Sequence, residues 1–129
     1  MLGAADGRGI GCLAEIPDGL EPAQFIERLT LVLHGDVRVD FFAPRPIKRI
    51  AIVTGGGAFL LPQVLRAAVD VYITGEPKHS YYHFTKENKL NVAYGGHYET
   101  ETFGVIALAE HLQEKFQLPF AFFDFPTGL

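Results

Sequence analysis

The stretch that decides the fold is Ile47–Gly75, "IKRIAIVTGGGAFLLPQVLRAAVDVYITG". "IKRIAIVT" is rich in β-branched residues and stops at three glycines, so it reads as a strand and a loop. "LPQVLRAAV" follows as a short helix and "DVYITG" as a second strand. A strand, a helix and a strand in that order call for a parallel pair joined by a crossover.

Working outward, the same alternation continues toward the C-terminus. "KHSYYHFTKEN" reads as a helix after Pro77, "LNVAYG" as a third strand, "ETFGVIALAEHLQEKF" as a helix and "PFAFFDF" as a last strand. In that long helix Val105, Leu108, Ala109, Leu112 and Phe116 share one face, while Glu110, Gln113 and Glu114 lie on the other. Upstream, "GIGCLAEI" reads as a strand stopping at Pro17. Pro22 begins a helix whose stripe is Phe25, Ile26, Leu29, Val32 and Leu33, with Gly35 as its stop. "DVRVDFF" alternates with a period of two, as a strand wetted on one face does. The fold class expected is α/β: a mixed, partly parallel sheet covered by helices, in one domain spanning all 129 residues.

Composition narrows the function. Hydrophobic residues make up 48%, with 11 Phe and no Trp, so a core can be built. Eleven basic against 15 acidic residues give a net charge of −4, without the basic stripe of a nucleic-acid binder. The single Cys12 excludes an internal disulfide and a multi-cysteine zinc site, and suits a reducing cytoplasm. "MLGAADGRGIG" lacks the apolar core of a leader, and no run approaches the roughly 20 apolar residues of a membrane span. A cytoplasmic protein without a membrane partner is expected.

Two segments carry metal-type chemistry. In "YGGHYETE", Tyr94–Glu101, His97 and Glu101 are four residues apart, one helical turn, and stand just beyond a strand end. Imidazole and carboxylate both suit zinc, iron or manganese. The same residues also fit an ordinary turn, since glycines end strands and a glutamate in a first helical turn is favoured by the helix dipole. In "TGEPKHSYYH", Glu76, His79 and His83 follow a strand, but Ser80 stands where an H-E-x-x-H motif needs glutamate. Lys78 can bind an anion or simply remain solvated.

Other chemistries lack material. "TGGGAF" resembles a phosphate loop, yet Leu60 replaces the third glycine of G-x-G-x-x-G and no G-K-[ST] follows. A sharp turn, or close approach of a ligand or subunit, explains the glycines better than a nucleotide cofactor. Ser80 is the only serine, and no G-x-S-x-G surrounds it. Cys12 reads as a buried structural thiol. The tail, "FAFFDFPTGL", is apolar on both faces and so expected to be a doubly buried strand or a subunit contact.

"DVYITGEPKH", then "GGHYETE" about twenty residues later, and the closing "FFDFPTGL" resemble the second half of the Nif-three-like dinuclear metal-centre family, whose members are also called GTP cyclohydrolase 1 type 2 homologues. "GIGCLAEI" and "RPIKRIAIVTGGGAFLL" are similar to segments of that family in the same order, so the resemblance covers nearly the whole chain. It implies that His97 and Glu101 are metal ligands, that His79 lines the same cleft, and that the molecule is a homo-oligomer, in the family a toroidal hexamer. It also implies a missing part. The family's N-terminal half, with adjacent histidines and an acidic ligand, has no counterpart here, and no His-His pair occurs in the sequence. Residues 1–129 therefore correspond to the C-terminal half. The expectation is a fragment, or a chain whose remaining ligands come from a separate polypeptide or from symmetric assembly.

The function expected is that of a metal-binding, hydrolase-like domain of unknown substrate. His97 and Glu101 hold a divalent ion, while His79, Lys78 and Glu76 orient the substrate or a metal-bound water. The competing expectation is a non-enzymatic metal-binding or assembly module.

Overall fold

The computed structural model of the chain describes residues 2–3 and 9–128. Much of the N-terminal stretch read as lacking a leader core lies outside the described residues. Five strands, β1 (Cys12–Leu20), β2 (Arg38–Asp40), β3 (Ile47–Val53), β4 (Val71–Thr74) and β5 (Val92–Tyr94), form one mixed sheet in the order β1-β3-β4-β5-β2. β3, β4 and β5 run parallel, and β1 and β2 close the two edges antiparallel. The helices are α1 (Pro22–Leu33), α2 (Leu61–Arg66), α3 (Tyr82–Glu87) and α4 (His97–Phe116), with 3-10 turns leading into α2 and α3.

The alternation of the central strands divides the core between two faces. Ala51, Val53, Tyr72, Val92 and Tyr94 pack with Leu60, Leu61, Val64 and Leu90 around α2. Ile50, Ile52, Val71, Ile73 and Ala93 pack on the opposite face with Phe25, Ile26 and Leu29 of α1. Pro22 opens α1, where its missing N–H costs nothing, and Gln24 Oε1 accepts the Glu21 amide at 3.3 Å. Asp70 pins the start of β4 to β3: its carboxylate accepts the Lys48 amide at 3.0 Å, the Arg49 amide at 2.8 Å and Arg45 Nε at 2.9 Å. Burial alone would raise its pKa. The Arg49 and Lys48 amides and the Arg45 guanidinium outweigh that and hold it below the ordinary carboxylate value.

The fold class agrees with the sequence reading, but several elements differ. β1 runs through Pro17 to Leu20, because it is an edge strand and its register breaks between Glu15 and Leu20, where no ladder donor is needed. Cys12 on that edge is exposed, not buried. Val32 leaves the α1 stripe at 55% exposure, and the left-handed residue ending the helix is His34, at φ 54°, rather than Gly35. "PFAFFDF" forms no strand and stays exposed. Finally, α4 does not cover the sheet: Thr100 is its one buried residue, and Val105, Leu108 and Phe116 are each more than half exposed.

Candidate metal centre

The three parallel strands end at one edge of the sheet, so their following loops meet there. β3 opens into Gly55-Gly56-Gly57, β4 into Gly75-Glu76, and β5 into Gly95-Gly96 and then α4. Two threonine hydroxyls tie these loops together. Thr74 Oγ1 accepts the Gly57 amide at 3.0 Å and donates to the Gly55 carbonyl at 3.1 Å. Thr100 Oγ1 accepts the Gly55 amide at 3.0 Å and donates to the Gly96 carbonyl at 2.8 Å. The Gly75 amide donates to the Gly55 carbonyl at 2.8 Å, and the Gly96 amide to the Gly75 carbonyl at 2.9 Å. Tyr72, buried beneath them, donates to the Gly57 carbonyl at 2.8 Å, and burial pushes its pKa up to about 12.

The glycine turn presses against the histidine and glutamate. Gly55 has φ +61°, and a Cβ there would lie 2.5 Å from Glu101 Oε1 and 3.0 Å from His97 Nε2. The close approach anticipated for these glycines is therefore to side chains of the chain itself. The Gly55 and Gly57 amides are already committed to Thr100 and Thr74, which leaves little for the phosphate-loop reading.

His97 occupies the first turn of α4 and stands between two carboxylates. Nδ1 is 3.4 Å from Glu76 Oε2 and Nε2 is 3.6 Å from Glu101 Oε2. All three side chains remain partly open to solvent, at 39%, 47% and 56%. Two ligands held about 2.1 Å from one tetrahedral ion lie about 3.4 Å apart, so the Nε2–Oε2 gap is of the size an ion fits. Glu76, on the far side of the ring, is placed as the carboxylate that commonly orients a metal-bound imidazole. Among the described residues no group of three or more His, Cys, Asp or Glu side chains converges on a single ion position.

Lys78 and His79 lie elsewhere. Both are exposed and line a hollow of about 270 Å³ with Arg38, Pro77, Tyr82 and Tyr94. A larger cleft of about 710 Å³ adjoins it, lined by Glu76, Glu99, Asp36 and Arg38 among others. His83 is exposed on α3. Sequence reasoning missed Thr74, Thr100, Arg38 and Glu99. The two threonines carry a signal only in hindsight: each sits one or two residues from a motif glycine or glutamate.

A mixed α/β domain whose parallel strands deliver a histidine–carboxylate pair to their carboxyl edge is the class of protein defined here. The family model DUF34/NIF3 (NGG1p interacting factor 3) matches residues 3–127, and the chain belongs to this family. It is 37% identical over 129 residues to a "GTP cyclohydrolase 1 type 2 homolog" of Deinococcus radiodurans, covering 99% of this chain and 49% of the relative. A protein of the same name from Archaeoglobus fulgidus is 37% identical over 128 residues, covering 99% and 50%. Among solved structures, TTHA1606 from Thermus thermophilus shares 42% identity at a TM-score of 0.77, covering 92% of this chain and 45% of that one. Protein ybgI, of unknown function, superposes at 0.85 with 27% identity, covering 93% and 49%. The chain thus spans about half the length of the relatives it matches. Among the described residues no helix is long and apolar enough to cross a membrane.

Proposed function

We propose that the chain is the metal-binding part of a metal-dependent hydrolase, with His97 and Glu101 as ligands. The observation that carries this reading is the 3.6 Å separation of His97 Nε2 and Glu101 Oε2 beside a side-chain-free Gly55. A divalent ion held there, for which zinc, iron and manganese all suit, would polarise a water and bring its pKa toward neutrality. Glu76 holds the imidazole ring from behind, which makes it a positioning residue and relieves it of the substrate-orienting role. His79 and Lys78 keep that role, from the hollow beside the cleft.

Two ligands do not complete a hydrolytic metal site. The remaining ligands come from a second copy of the chain in a homo-oligomer. His97 and Glu101 start the same helix whose apolar side lies open, so an isologous contact along α4 would bring two half-sites toward each other. A hexamer is one form that assembly can take and a dinuclear centre is one site it can build; a separate chain bearing the other ligands is the alternative to it. A cytoplasmic setting fits the lone, exposed Cys12. The exposed face of α4 also favours the second reading, a non-enzymatic metal-binding assembly module.

The test is metal content after reconstitution, together with hydrolysis of GTP, the first substrate to assay given the relatives' name. Wild type is expected to retain zinc, iron or manganese in amounts near the protein's own, and His97→Ala to lose them with any hydrolysis. Metal retention without hydrolysis selects the assembly module. Equal metal content in wild type and His97→Ala overturns both readings.

A further inference from the structure

The two hollows beside Glu76 differ in charge. The larger carries three carboxylates, Asp36, Glu76 and Glu99; the smaller carries Arg38, Lys78 and His79 and no carboxylate. They share Arg38, Pro77 and Tyr94, so one elongated ligand can occupy both.

Arg38, though its side chain is 57% exposed, is oriented on one side by the chain itself. Its Nη2 contacts both oxygens of Asp40, at 3.2 and 3.4 Å, and its Cζ lies 5.6 Å from the centre of the Tyr94 ring. Those contacts engage one nitrogen of a five-donor fork, and among the described residues no other acceptor engages the rest. Lys78 has no carboxylate within 4.0 Å among the described residues. A guanidinium held by an acid and an aromatic ring, next to an uncommitted ammonium, suits an oxyanion with several acceptor oxygens. Tyr82, 38% exposed on the same wall, offers an apolar surface for the body to which that anion is attached.

We infer that this hollow is a subsite for the phosphate of a small phosphorylated aromatic metabolite, bound by Arg38 and Lys78 with His79 as a third donor. The ligand's other end then extends through the shared opening toward Glu76 and the metal pair. That orientation rests on the hydrolase reading, but capture of the phosphate does not require the ion.

Calorimetric titration at low salt with EDTA present throughout, using phenyl phosphate, benzoate and phenol, separates the two. Phenyl phosphate is expected to bind saturably, with benzoate and phenol at least about tenfold weaker. Lys78→Gln and Arg38→Gln should each weaken phenyl phosphate about tenfold, and Lys78→Arg should restore it. Lys78 is exposed, so its variants report on binding even if Arg38→Gln misfolds. Binding that is absent in wild type, unchanged in Lys78→Gln, or equal for benzoate overturns the subsite. Phosphate binding in a chain that takes up no metal leaves the subsite standing and removes only the hydrolase reading. Metal uptake without phosphate binding does the reverse.

Discussion

Gly55 and Gly75 are both crowded, but by different atoms, and this decides what a methyl group would do at each. A Cβ on Gly55 meets the ends of Glu101 and His97, which can swing aside; the left-handed backbone is the larger obstacle. Gly55→Ala is therefore expected to cost about 1–2 kcal/mol of stability, with the two side chains pushed off their positions and metal affinity down at least about tenfold. A Cβ on Gly75 meets backbone instead: the Gly55 carbonyl at 2.7 Å, His97 Cα at 2.8 Å and Gly55 Cα at 2.9 Å. Backbone cannot step aside without opening the turn, so Gly75→Ala should cost about 1–3 kcal/mol and broaden unfolding. Urea denaturation beside metal titration checks the pair. Gly55→Ala that binds metal as wild type does would count against His97 and Glu101 as ligands.

At the scale of elements, the junction of β3 and β4 rests on a charge. Asp70 is ionised more easily in the folded chain than in the unfolded one, where an aspartate titrates at about 3.9. Its contribution is therefore complete above that unfolded value and is lost as pH falls through the lowered folded one. Asp70→Asn is expected to cost about 1–3 kcal/mol at pH 7, and the gap from wild type should close as acid protonates the native carboxylate. Urea midpoints across that range test it; a gap independent of pH would assign the loss to packing. The strands flanking this junction were legible because Ile and Val runs alternate with glycine loops, and the order of elements follows from that. The exposure of α4 was not. Its pattern of Val105, Leu108, Leu112 and Phe116 says that one face seeks cover, but periodicity is silent on what supplies it. The tail misled for the same reason: "PFAFFDF" has strand-forming residues, yet here it lies back along α4, where Tyr98 donates to Asp124 at 2.8 Å and accepts the Phe125 amide at 2.8 Å. Of the site, His97 and Glu101 were visible as a spacing. The pairing with Glu76 and the basic hollow around Arg38 were not, because both join residues from separate strands.

At the scale of the molecule, the proposed assembly links the open face of α4 to the His97–Glu101 pair that the same helix begins with. If a second copy completes the metal site, occupancy depends on assembly and obeys mass action. Bound metal per chain should fall on dilution at constant free metal, and sedimentation should show the oligomer dissociating over the same range. Leu108→Glu, placed on the open face far from His97 in sequence, should produce the same loss without dilution. Occupancy that ignores both dilution and Leu108→Glu would mean that one chain holds its ion alone.

The hydroxyls of Thr74 and Thr100 have a further effect on any ion that arrives. They fasten the glycine turn from within, so the backbone beside His97 and Glu101 has its shape once the chain has folded. Gly55 cannot shift to suit a guest without surrendering bonds to Thr74, Gly75 and Thr100. The turn is thus the fixed wall of the proposed site, and adjustment to an ion's radius falls to the partly exposed side chains of His97 and Glu101.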